Sequence, residues 1–254
     1  MTELNRLQAA IPASCTYLPN RWGTAPGMWF EHEDTVFVSL PGVPFEMKNL
    51  MEAEVAPRLL RRFNPPIILH KMVKTVGIGE SFLAELIESW EDSLPEAIKL
   101  AYLPHFGQVR LRLTAIGDDP ENLRALLEAE IQRVLPIIEP YFFGYDDDEL
   151  ESVVGSLLKH VDASVSVAES CTGGFLAHKL TSVAGSSAYF QGSMVTYSNQ
   201  SKVSLLNVEN ATLEAYGAVS EQTVVQMAEN IKKVFGSTFG VATSGVAGPG
   251  GGTP

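Results

Sequence analysis

The sequence has 254 residues, of which 45% are hydrophobic and 19% are charged, and 30 acidic side chains against 18 basic ones give a formal net charge of -12. This length and composition suit one large domain or two to three small ones with apolar cores, and they exclude a disordered chain. Because the negative charge repels phosphate backbones, and the only basic cluster is three arginines at the end of a predicted helix, we do not expect nucleic acid as the primary partner.

The cysteines and the apolar segments indicate the cellular compartment. Cys15 and Cys171 lie far apart and have no second cysteine or histidine at a metal-binding spacing, so we expect neither a disulfide framework nor a zinc site. The amino-terminal segment is polar, and no apolar run has the length needed to cross a bilayer. We therefore expect a cytoplasmic protein without membrane contact.

Residues 1–65 predict part of an α/β domain. A glycine- and proline-rich loop over residues 20–27 precedes one short apolar strand over residues 36–40. The turn Pro41-Gly42-Val43-Pro44 follows, and an amphipathic pattern predicts a helix over residues 46–62. Since a single strand cannot make a sheet, we expect the first half of this domain to be absent.

Residues 66–145 predict a small two-layer α+β domain. Pro65-Pro66 ends the preceding unit, because proline continues neither a helix nor a central strand. The patterns predict a strand over residues 67–76, a helix over 80–94, a strand pair over 99–103 and 108–116, and a helix over 120–139. In the last strand, Val109-Arg110-Leu111-Arg112-Leu113 alternates with period two, which is typical of a half-buried strand with one wet face.

Residues 146–254 predict an α/β domain whose mostly parallel sheet has helices on both faces, because strands and helices alternate. Predicted strands cover residues 164–168, 189–197 and 239–243, and predicted helices cover 150–161, 173–183, a segment from about 199, and 221–235. The acidic run Asp146-Asp147-Asp148-Glu149 precedes the first helix. We interpret it as a solvated linker, with metal binding as the alternative.

The segment Val167-Ala168-Glu169-Ser170-Cys171-Thr172-Gly173-Gly174 is the strongest candidate for a functional site. It predicts an apolar strand, a turn and the start of a helix, and open α/β sheets bind ligands beyond the carboxyl ends of their strands. Backbone amides at a helix start can hold an oxyanion, and glycines let a substrate approach. Ser170 or Cys171 is then a candidate nucleophile. The alternative is that Ser170 or Thr172 only caps the helix.

The segment Val195-Thr196-Tyr197-Ser198-Asn199-Gln200-Ser201-Lys202 supplies a candidate base. A strand ends at Tyr197 and a helix begins near Asn199, so Lys202 falls in the first helical turn. The helix N-terminus disfavours positive charge and lowers the pKa of a lysine there, and a base has to be neutral to accept a proton. An ordinary solvated lysine is the alternative.

A glycine-rich segment, Ala242-Thr243-Ser244-Gly245-Val246-Ala247-Gly248-Pro249-Gly250-Gly251-Gly252, follows the last predicted strand. Successive backbone amides in such a loop can form a nest for a phosphate. The segment is not a Walker A loop, because no Gly-Lys-Ser/Thr follows, and it does not match the dinucleotide-binding GxGxxG pattern. A flexible surface loop is the alternative.

Five motifs in the carboxyl-terminal half together resemble the CinA family; they cover residues 168–174, 184–190, 196–199, 217–221 and 244–249. The resemblance implies a nicotinamide-nucleotide amidohydrolase domain over residues 146–254, which converts nicotinamide mononucleotide to nicotinate mononucleotide and ammonia. It also implies a KH-like middle domain over residues 66–145 and a partial molybdopterin-binding-like domain over residues 1–65. Relative to the family, we expect the chain to be truncated at both ends.

The resemblance also implies a role for each motif residue. Ser170 would be the nucleophile, with Tyr197 and Lys202 completing the catalytic set. Residues beside the substrate would be Glu169, Cys171, Thr172, Gly173, Gly174, Ser244, Gly245, Gly248 and Pro249. The amidase reaction would use no cofactor and no metal ion, its substrate would be a small-molecule nucleotide, and the protein would form a homodimer.

Two other functions stay open at this stage. The glycine loops could hold a phosphate in a non-catalytic nucleotide-binding module, or the chain could be an interaction protein linked to DNA uptake or repair, as the family name implies. We take the KH-like label as a topology, because the acidic balance and the absence of a basic GxxG loop give no support for RNA binding.

Overall fold

The computed structural model describes residues 10–246, 248 and 250. Of these, residues 10–68 and 116–121 form one compact unit. Residues 69–115 and the described residues from 122 onward form a second unit. The predicted domain boundaries at 65/66 and 145/146 stay predictions.

The first unit contains a three-stranded antiparallel sheet in the order β1-β2-β3. Its strands are β1 (Thr16–Leu18), β2 (Gly27–His32) and β3 (Thr35–Ser39). The expectation of a single strand is therefore wrong. The turn between β2 and β3 is tight, with a φ of 54° at Glu33, and the polar residues 31–34 separate the apolar residues of the two strands.

The helix predicted over residues 46–62 is confirmed, although it begins earlier and is not regular throughout. It consists of α1 (Pro44–Leu50), a π-helical turn (Met51–Val55) and α2 (Ala56–Phe63). Proline is tolerated at Pro44 because the first helical position needs no backbone donor. The core of this unit is formed by Leu18, Trp29, Leu50 and Val55.

A second, four-stranded sheet has the order β5-β6-β4-β7, and we call it the middle sheet. Its elements are β4 (Ile67–Val76), α3 (Glu80–Glu91), β5 (Ile98–His105), β6 (Gln108–Gly117), α4 (Pro120–Ile138) and β7 (Phe142–Tyr145). On β6 the odd-numbered residues from Val109 to Ala115 are buried and the even-numbered ones are half-buried. The predicted α+β arrangement and the wet face of this strand are confirmed, whereas β7 was not predicted.

The acidic run after β7 is exposed but anchored to β4. The Asp146 carboxylate accepts from Lys71 Nζ and from the Met72 backbone N–H, the latter at 2.9 Å. The buried Lys74 Nζ donates to the Asp148 carbonyl oxygen at 2.6 Å. Asp147, Asp148 and Glu149 are exposed, as expected for a solvated linker, and the bonds of Asp146 and of the Asp148 carbonyl also hold the run against the middle sheet.

The third sheet, called here the C-terminal sheet, is parallel and has the order β10-β8-β9. Its elements are α5 (Leu150–His160), β8 (Val165–Glu169), α6 (Phe175–Thr181), a 3-10 turn (Ser186–Ala188), β9 (Phe190–Val195), α7 (Asn199–Leu206), α8 (Asn210–Tyr216), α9 (Glu221–Phe235) and β10 (Phe239–Thr243). Helix α8 was not predicted.

Apolar side chains of β8 enter two separate cores, one on each face of the C-terminal sheet. Val165 and Val167 pack with Leu158 of α5 and Leu180 of α6. Ala168 packs on the other face with residues that follow β9, namely Leu206, Val208, Met227 and Ile231. The predicted α/β fold, a parallel sheet with helices on both faces, is confirmed.

Candidate active site

Ser170 lies at the carboxyl end of β8, the central strand of the C-terminal sheet. Its backbone N–H donates to the Thr243 carbonyl oxygen at 3.0 Å, which keeps β8 and β10 together up to the site. The chain then turns sharply, with φ of 59° at Gly173 and 102° at Gly174, values that glycine adopts with little strain. These glycines allow α6 to begin at Phe175 and leave Ser170 only 7% exposed.

Lys202 reaches Ser170 from the first turn of α7. Ser198 caps that helix, because its hydroxyl accepts from the Ser201 backbone N–H at 3.1 Å. Helical side chains lean toward the N-terminus of their helix, and Lys202 Nζ accordingly lies 3.0 Å from Ser170 Oγ and 2.8 Å from the Thr196 carbonyl oxygen. The structure thus places the predicted nucleophile and the predicted base in direct contact.

The Lys202 amine lies in an environment that disfavours its charge. The side chain is 1% exposed, and burial lowers its pKa from the ordinary 10.5, with Cys171 acting in the opposite direction. Its acceptors besides Ser170 are the backbone carbonyls of Thr196 and Tyr197, at 2.8 and 3.4 Å. No carboxylate among the described residues forms a salt bridge with it. Neutral amine is therefore populated at a lower pH than for a solvated lysine.

Glu169, the last residue of β8, holds the start of α6 through its carboxylate. Its carboxylate accepts from the backbone N–H groups of Gly174, Leu176 and Ala177 at 3.1, 3.0 and 2.8 Å. Burial by itself would raise the pKa of this carboxyl, but the hydrogen bonds from Thr172 and these amides outweigh it, and the pKa is lowered from 4.5. Glu169 has an exposed fraction of 0% and its carboxylate accepts from these amides, so its predicted contact with the substrate has no support from the structure.

The amides able to hold an oxyanion precede α6. Glu169 accepts from the first amides of the helix, and the Gly173 N–H donates to the Ser170 carbonyl oxygen at 3.1 Å. Across the described ranges, the N–H groups of Cys171 and Thr172 have no acceptor. They directly follow the predicted nucleophile, where the oxyanion of a tetrahedral intermediate would form.

The side chains of two other predicted residues are not bonded to the Ser170–Lys202 pair. Tyr197 is 69% exposed, and of this residue it is the backbone carbonyl that contacts Lys202. The Ser244 hydroxyl donates to the Ala218 carbonyl oxygen at 2.7 Å, which ties the glycine-rich loop to the turn before α9. The structure therefore gives no support for a proton relay through the Tyr197 hydroxyl.

The glycine-rich loop begins beside the nucleophile turn. A Cβ atom built on Gly245 would lie 3.2 Å from Cys171 Sγ, so the loop backbone packs directly on this thiol. A Cβ atom on Gly248 would meet no atom within 4 Å among the described residues. Pro249 lies outside the described residues. Gly245 is thus at the site, while the phosphate nest stays a prediction.

Sequence reasoning missed two threonines at the ends of the flanking strands. Thr196 follows β9 and is fully buried; its carbonyl holds Lys202, and within the described part of the chain its hydroxyl has no partner. Thr243 ends β10, and its hydroxyl lies 2.7 Å from that of Thr172. Both could have been found, because each is a polar residue at the carboxyl end of an apolar strand.

The arrangement suits acyl transfer more than other chemistry. One turn supplies a serine hydroxyl and two backbone amides without acceptors among the described residues, and α7 brings a buried amine to that hydroxyl. Among the described residues, no three His, Cys, Asp or Glu side chains are grouped to hold a metal ion. None of the helices described has both the length and the apolar character needed to cross a membrane.

Two family models match adjoining parts of the chain. The model described as the CinA C-terminal domain matches residues 147–254, and the model of the damage-inducible protein CinA KH domain matches residues 70–144. A solved structure, the competence/damage inducible protein CihA from Agrobacterium tumefaciens, is 44% identical, with a TM-score of 0.40, and the match covers 41% of this chain and 63% of that chain.

Curated relatives match the sequence over nearly its whole length. A CinA-like protein of Cytophaga hutchinsonii is 53% identical over 253 residues, which cover 100% of this chain and 60% of the relative. A CinA-like protein of Flavobacterium psychrophilum is 48% identical over 98% of this chain and 60% of the relative. The chain thus spans about 60% of the length of these relatives. By these matches, the chain belongs to the CinA family.

Proposed function

We propose that this chain hydrolyses a carboxamide, with Ser170 as the nucleophile and Lys202 as the general base. The observation that carries the proposal is the 3.0 Å contact between Lys202 Nζ and Ser170 Oγ, both of which are buried at the end of a parallel strand. A serine hydroxyl is a weak nucleophile until an adjacent base takes its proton. An amine whose pKa is lowered by burial suits that task.

The backbone carbonyls around Lys202 orient its neutral amine. Two of its N–H groups can donate to the Thr196 and Tyr197 carbonyl oxygens. The nitrogen lone pair is then left for the Ser170 hydroxyl, which donates its proton along the short Oγ–Nζ contact. Tyr197 takes part through its main chain in this arrangement, and its exposed side chain is free to contact the substrate.

The reaction proceeds through an acyl-enzyme. Ser170 Oγ attacks the carboxamide carbon as its proton passes to Lys202, and the N–H groups of Cys171 and Thr172 stabilise the oxyanion. The tetrahedral intermediate collapses when the Lys202 ammonium returns the proton to the leaving nitrogen, and ammonia departs. Water, activated by the same amine, then attacks the ester and releases the carboxylic acid. No cofactor or metal ion enters these steps.

We further propose nicotinamide mononucleotide as the substrate and nicotinate mononucleotide as the product. The resemblance of the motif residues to the amidohydrolase domain supports this substrate. Gly245 lies beside Cys171, and backbone amides of the glycine-rich segment that it belongs to would hold the nucleotide phosphate at the far end of the substrate from the carboxamide. The proposal concerns the part of the protein present in this chain.

The test is a mass-spectrometric assay for nicotinate mononucleotide, with ammonia measured in parallel. Ser170→Ala and Lys202→Met should each lose on the order of a thousandfold or more in kcat, as in other enzymes that lose a serine nucleophile or its base. Cys171→Ala is the matched control from the same turn and should keep most activity.

Each other outcome of this assay leads to a different conclusion. An inactive Cys171→Ala together with an active Ser170→Ala would make the thiol the nucleophile. Binding of nicotinamide mononucleotide without any release of ammonia would favour a non-catalytic nucleotide-binding module. An active Lys202→Met would remove the lysine from the mechanism.

A further inference from the structure

A cavity of about 590 Å³ lies between the β5–β6 hairpin of the middle sheet and helices α5 and α6. Most of its wall is apolar, with Phe106 at the hairpin tip and Leu150, Val154, Phe175 and Leu176 on the helices. Ser170 and Lys202 do not line it. Its volume falls within the range of small-molecule sites, which is roughly 300–1,000 Å³.

One uncompensated positive charge lines this apolar cavity. Arg110 lies on the half-buried face of β6 and borders the cavity, and its Nε is buried without a hydrogen-bond acceptor among the described residues. Within the same part of the chain no carboxylate pairs with it. The guanidinium therefore keeps an unneutralised positive charge at the cavity wall, which an anionic ligand would neutralise.

The acidic side chains around the cavity already have basic partners. Glu151 accepts from Lys179 Nζ, which also borders the cavity. Glu149 Oε1 lies 3.4 Å from Lys74 Nζ. In each pair the positive and negative side chains largely neutralise each other. The guanidinium of Arg110 is then the unneutralised charge at the cavity wall.

We propose that this cavity binds a small amphipathic anion. Arg110 would hold a carboxylate in the two-pronged geometry that suits a guanidinium, and the apolar body of the ligand would lie against Phe106 and the helix residues. A neutral compound would leave Arg110 unsatisfied, and a small inorganic anion would leave the apolar wall exposed to water. The site therefore selects ligands that combine an anionic group with an apolar body.

The probe pair for this proposal is 1-naphthoate and its neutral amide, 1-naphthamide, titrated by calorimetry into the full chain. Naphthoate should bind saturably and more tightly than naphthamide. Arg110→Gln should weaken naphthoate by roughly tenfold or more and leave naphthamide unchanged, because the lost bond is assisted by charge. Because naphthamide is itself a carboxamide, both titrations are repeated in Ser170→Ala, in which the proposed hydrolysis is absent, so the outcome is independent of the proposed function.

Arg112→Gln is the matched control, because Arg112 lies on the same face of β6 with a buried, unpartnered Nε but does not line the cavity. It should bind naphthoate like the unaltered chain. Phe106→Ser should weaken both probes, and since Phe106 is 98% exposed its replacement should not disturb folding. Equal affinities for the two probes, no binding of naphthoate, or equal losses in Arg110→Gln and Arg112→Gln would overturn the proposal.

Discussion

Lys202 combines nearly complete burial with a group that is charged when solvated. Each unit by which burial lowers the pKa of a lysine corresponds to about 1.4 kcal/mol of disfavoured charge. The short contacts with Ser170 and the Thr196 carbonyl offset part of this cost. Lys202, the proposed base, therefore lowers the stability of the fold around it, as active-site groups often do.

The rate of hydrolysis should rise with pH. Because burial lowers the pKa of Lys202 below 10.5, the neutral base becomes populated as pH rises through that lowered pKa, and kcat levels off above it. Lys202→Arg should be inactive at every pH, because a guanidinium stays protonated. Lys233→Met, which removes an exposed lysine on α9, should keep the original profile. A flat profile in the unaltered chain would exclude Lys202 as the base.

Replacing Lys202 by methionine should remove the destabilisation caused by burying a charged amine, and the size of this effect should depend on pH. The folded-state pKa is the lower one, so between it and 10.5 the unfolded chain binds more protons and stability rises with pH. Lys202→Met should therefore gain most in stability relative to the unaltered chain near neutral pH, and the gain should shrink toward pH 10.5. Urea unfolding at two pH values measures this, and a difference independent of pH would contradict the prediction.

At the scale of elements, the start of α6 determines the shape of the nucleophile turn. The helix has seven residues, too few to be stable by itself. Glu169 stabilises it by accepting from the N–H groups of Gly174, Leu176 and Ala177. Because one buried carboxylate takes these donors, the Cys171 and Thr172 amides are the ones left for a substrate.

Glu169→Gln should destabilise the fold by about 2 to 3 kcal/mol, because an amide places its own donors against backbone N–H groups. The lowered pKa of Glu169 means that its contribution is present above its unfolded pKa near 4.5 and is lost as pH falls through the folded value. The variant should therefore lose less stability in acid than the unaltered chain. Glu221→Gln, at the exposed start of α9, is the control and should change unfolding free energy little at any pH.

The packing of β10 on α9 depends on Gly240. A Cβ atom there would lie 2.0 Å from the Ala228 carbonyl oxygen, which is backbone and cannot move aside. Gly240→Ala should therefore separate strand from helix and cost more than about 2 kcal/mol. Gly42→Ala has open space around it and should be close to neutral. Thermal unfolding of both variants measures this difference. Equal melting temperatures for Gly240→Ala and Gly42→Ala would contradict the predicted clash.

The sequence was sufficient to predict elements with a clear period or a long apolar run. Strands β4 and β10 have the predicted bounds, because each is rich in apolar residues and is bounded by proline, glycine or a polar residue. Strands β1 and β7 have three and four residues, too few for any periodicity to be recognised. They exist because neighbouring strands pair with them, which local sequence does not reveal.

The candidate site was partly predictable for a similar reason. Ser170 and Lys202 could be brought together because neighbouring parallel strands β8 and β9 end at one edge, and the register pairs Glu169 with Val195. The role of Glu169 could not be predicted, because the direction of its side chain depends on the path of the turn. The exposure of Tyr197 has the same origin, since it follows the strand at the point where regular alternation ends.

At the scale of the whole second unit, one buried lysine connects the middle sheet to the chain entering the C-terminal sheet. Lys74 is 2% exposed and donates to the Asp148 carbonyl oxygen at 2.6 Å. A buried charged donor that loses its acceptor is costly, so the segment before α5 is held where it is. Two sheets joined in this way should unfold together.

Lys74→Met should weaken this coupling. We expect the single unfolding transition of the second unit to broaden or split in calorimetry, because the segment before α5 loses its buried bond. Lys71→Met is the control, because it removes the ion pair between Lys71 and Asp146, whose side chains are 36% and 42% exposed. Surface ion pairs contribute roughly 0–1 kcal/mol, so this variant should change the transition little. A sharp single transition in Lys74→Met would contradict the prediction.

The bond between Ser170 and Thr243 sets an order for synthesis on the ribosome. Ser170 and Lys202 are 32 residues apart, so their strands and helices can assemble as soon as α7 has emerged. The threonine pair beside them joins residues 71 apart, and β10 is translated seconds later at the usual rate of about 5–20 residues per second. Until then β8 lacks its partner on one side, and the Ser170 backbone N–H lacks its acceptor, the Thr243 carbonyl oxygen. The nascent chain would thus bring Ser170 and Lys202 together first, and the backbone of the nucleophile turn would be fixed when β10 docks.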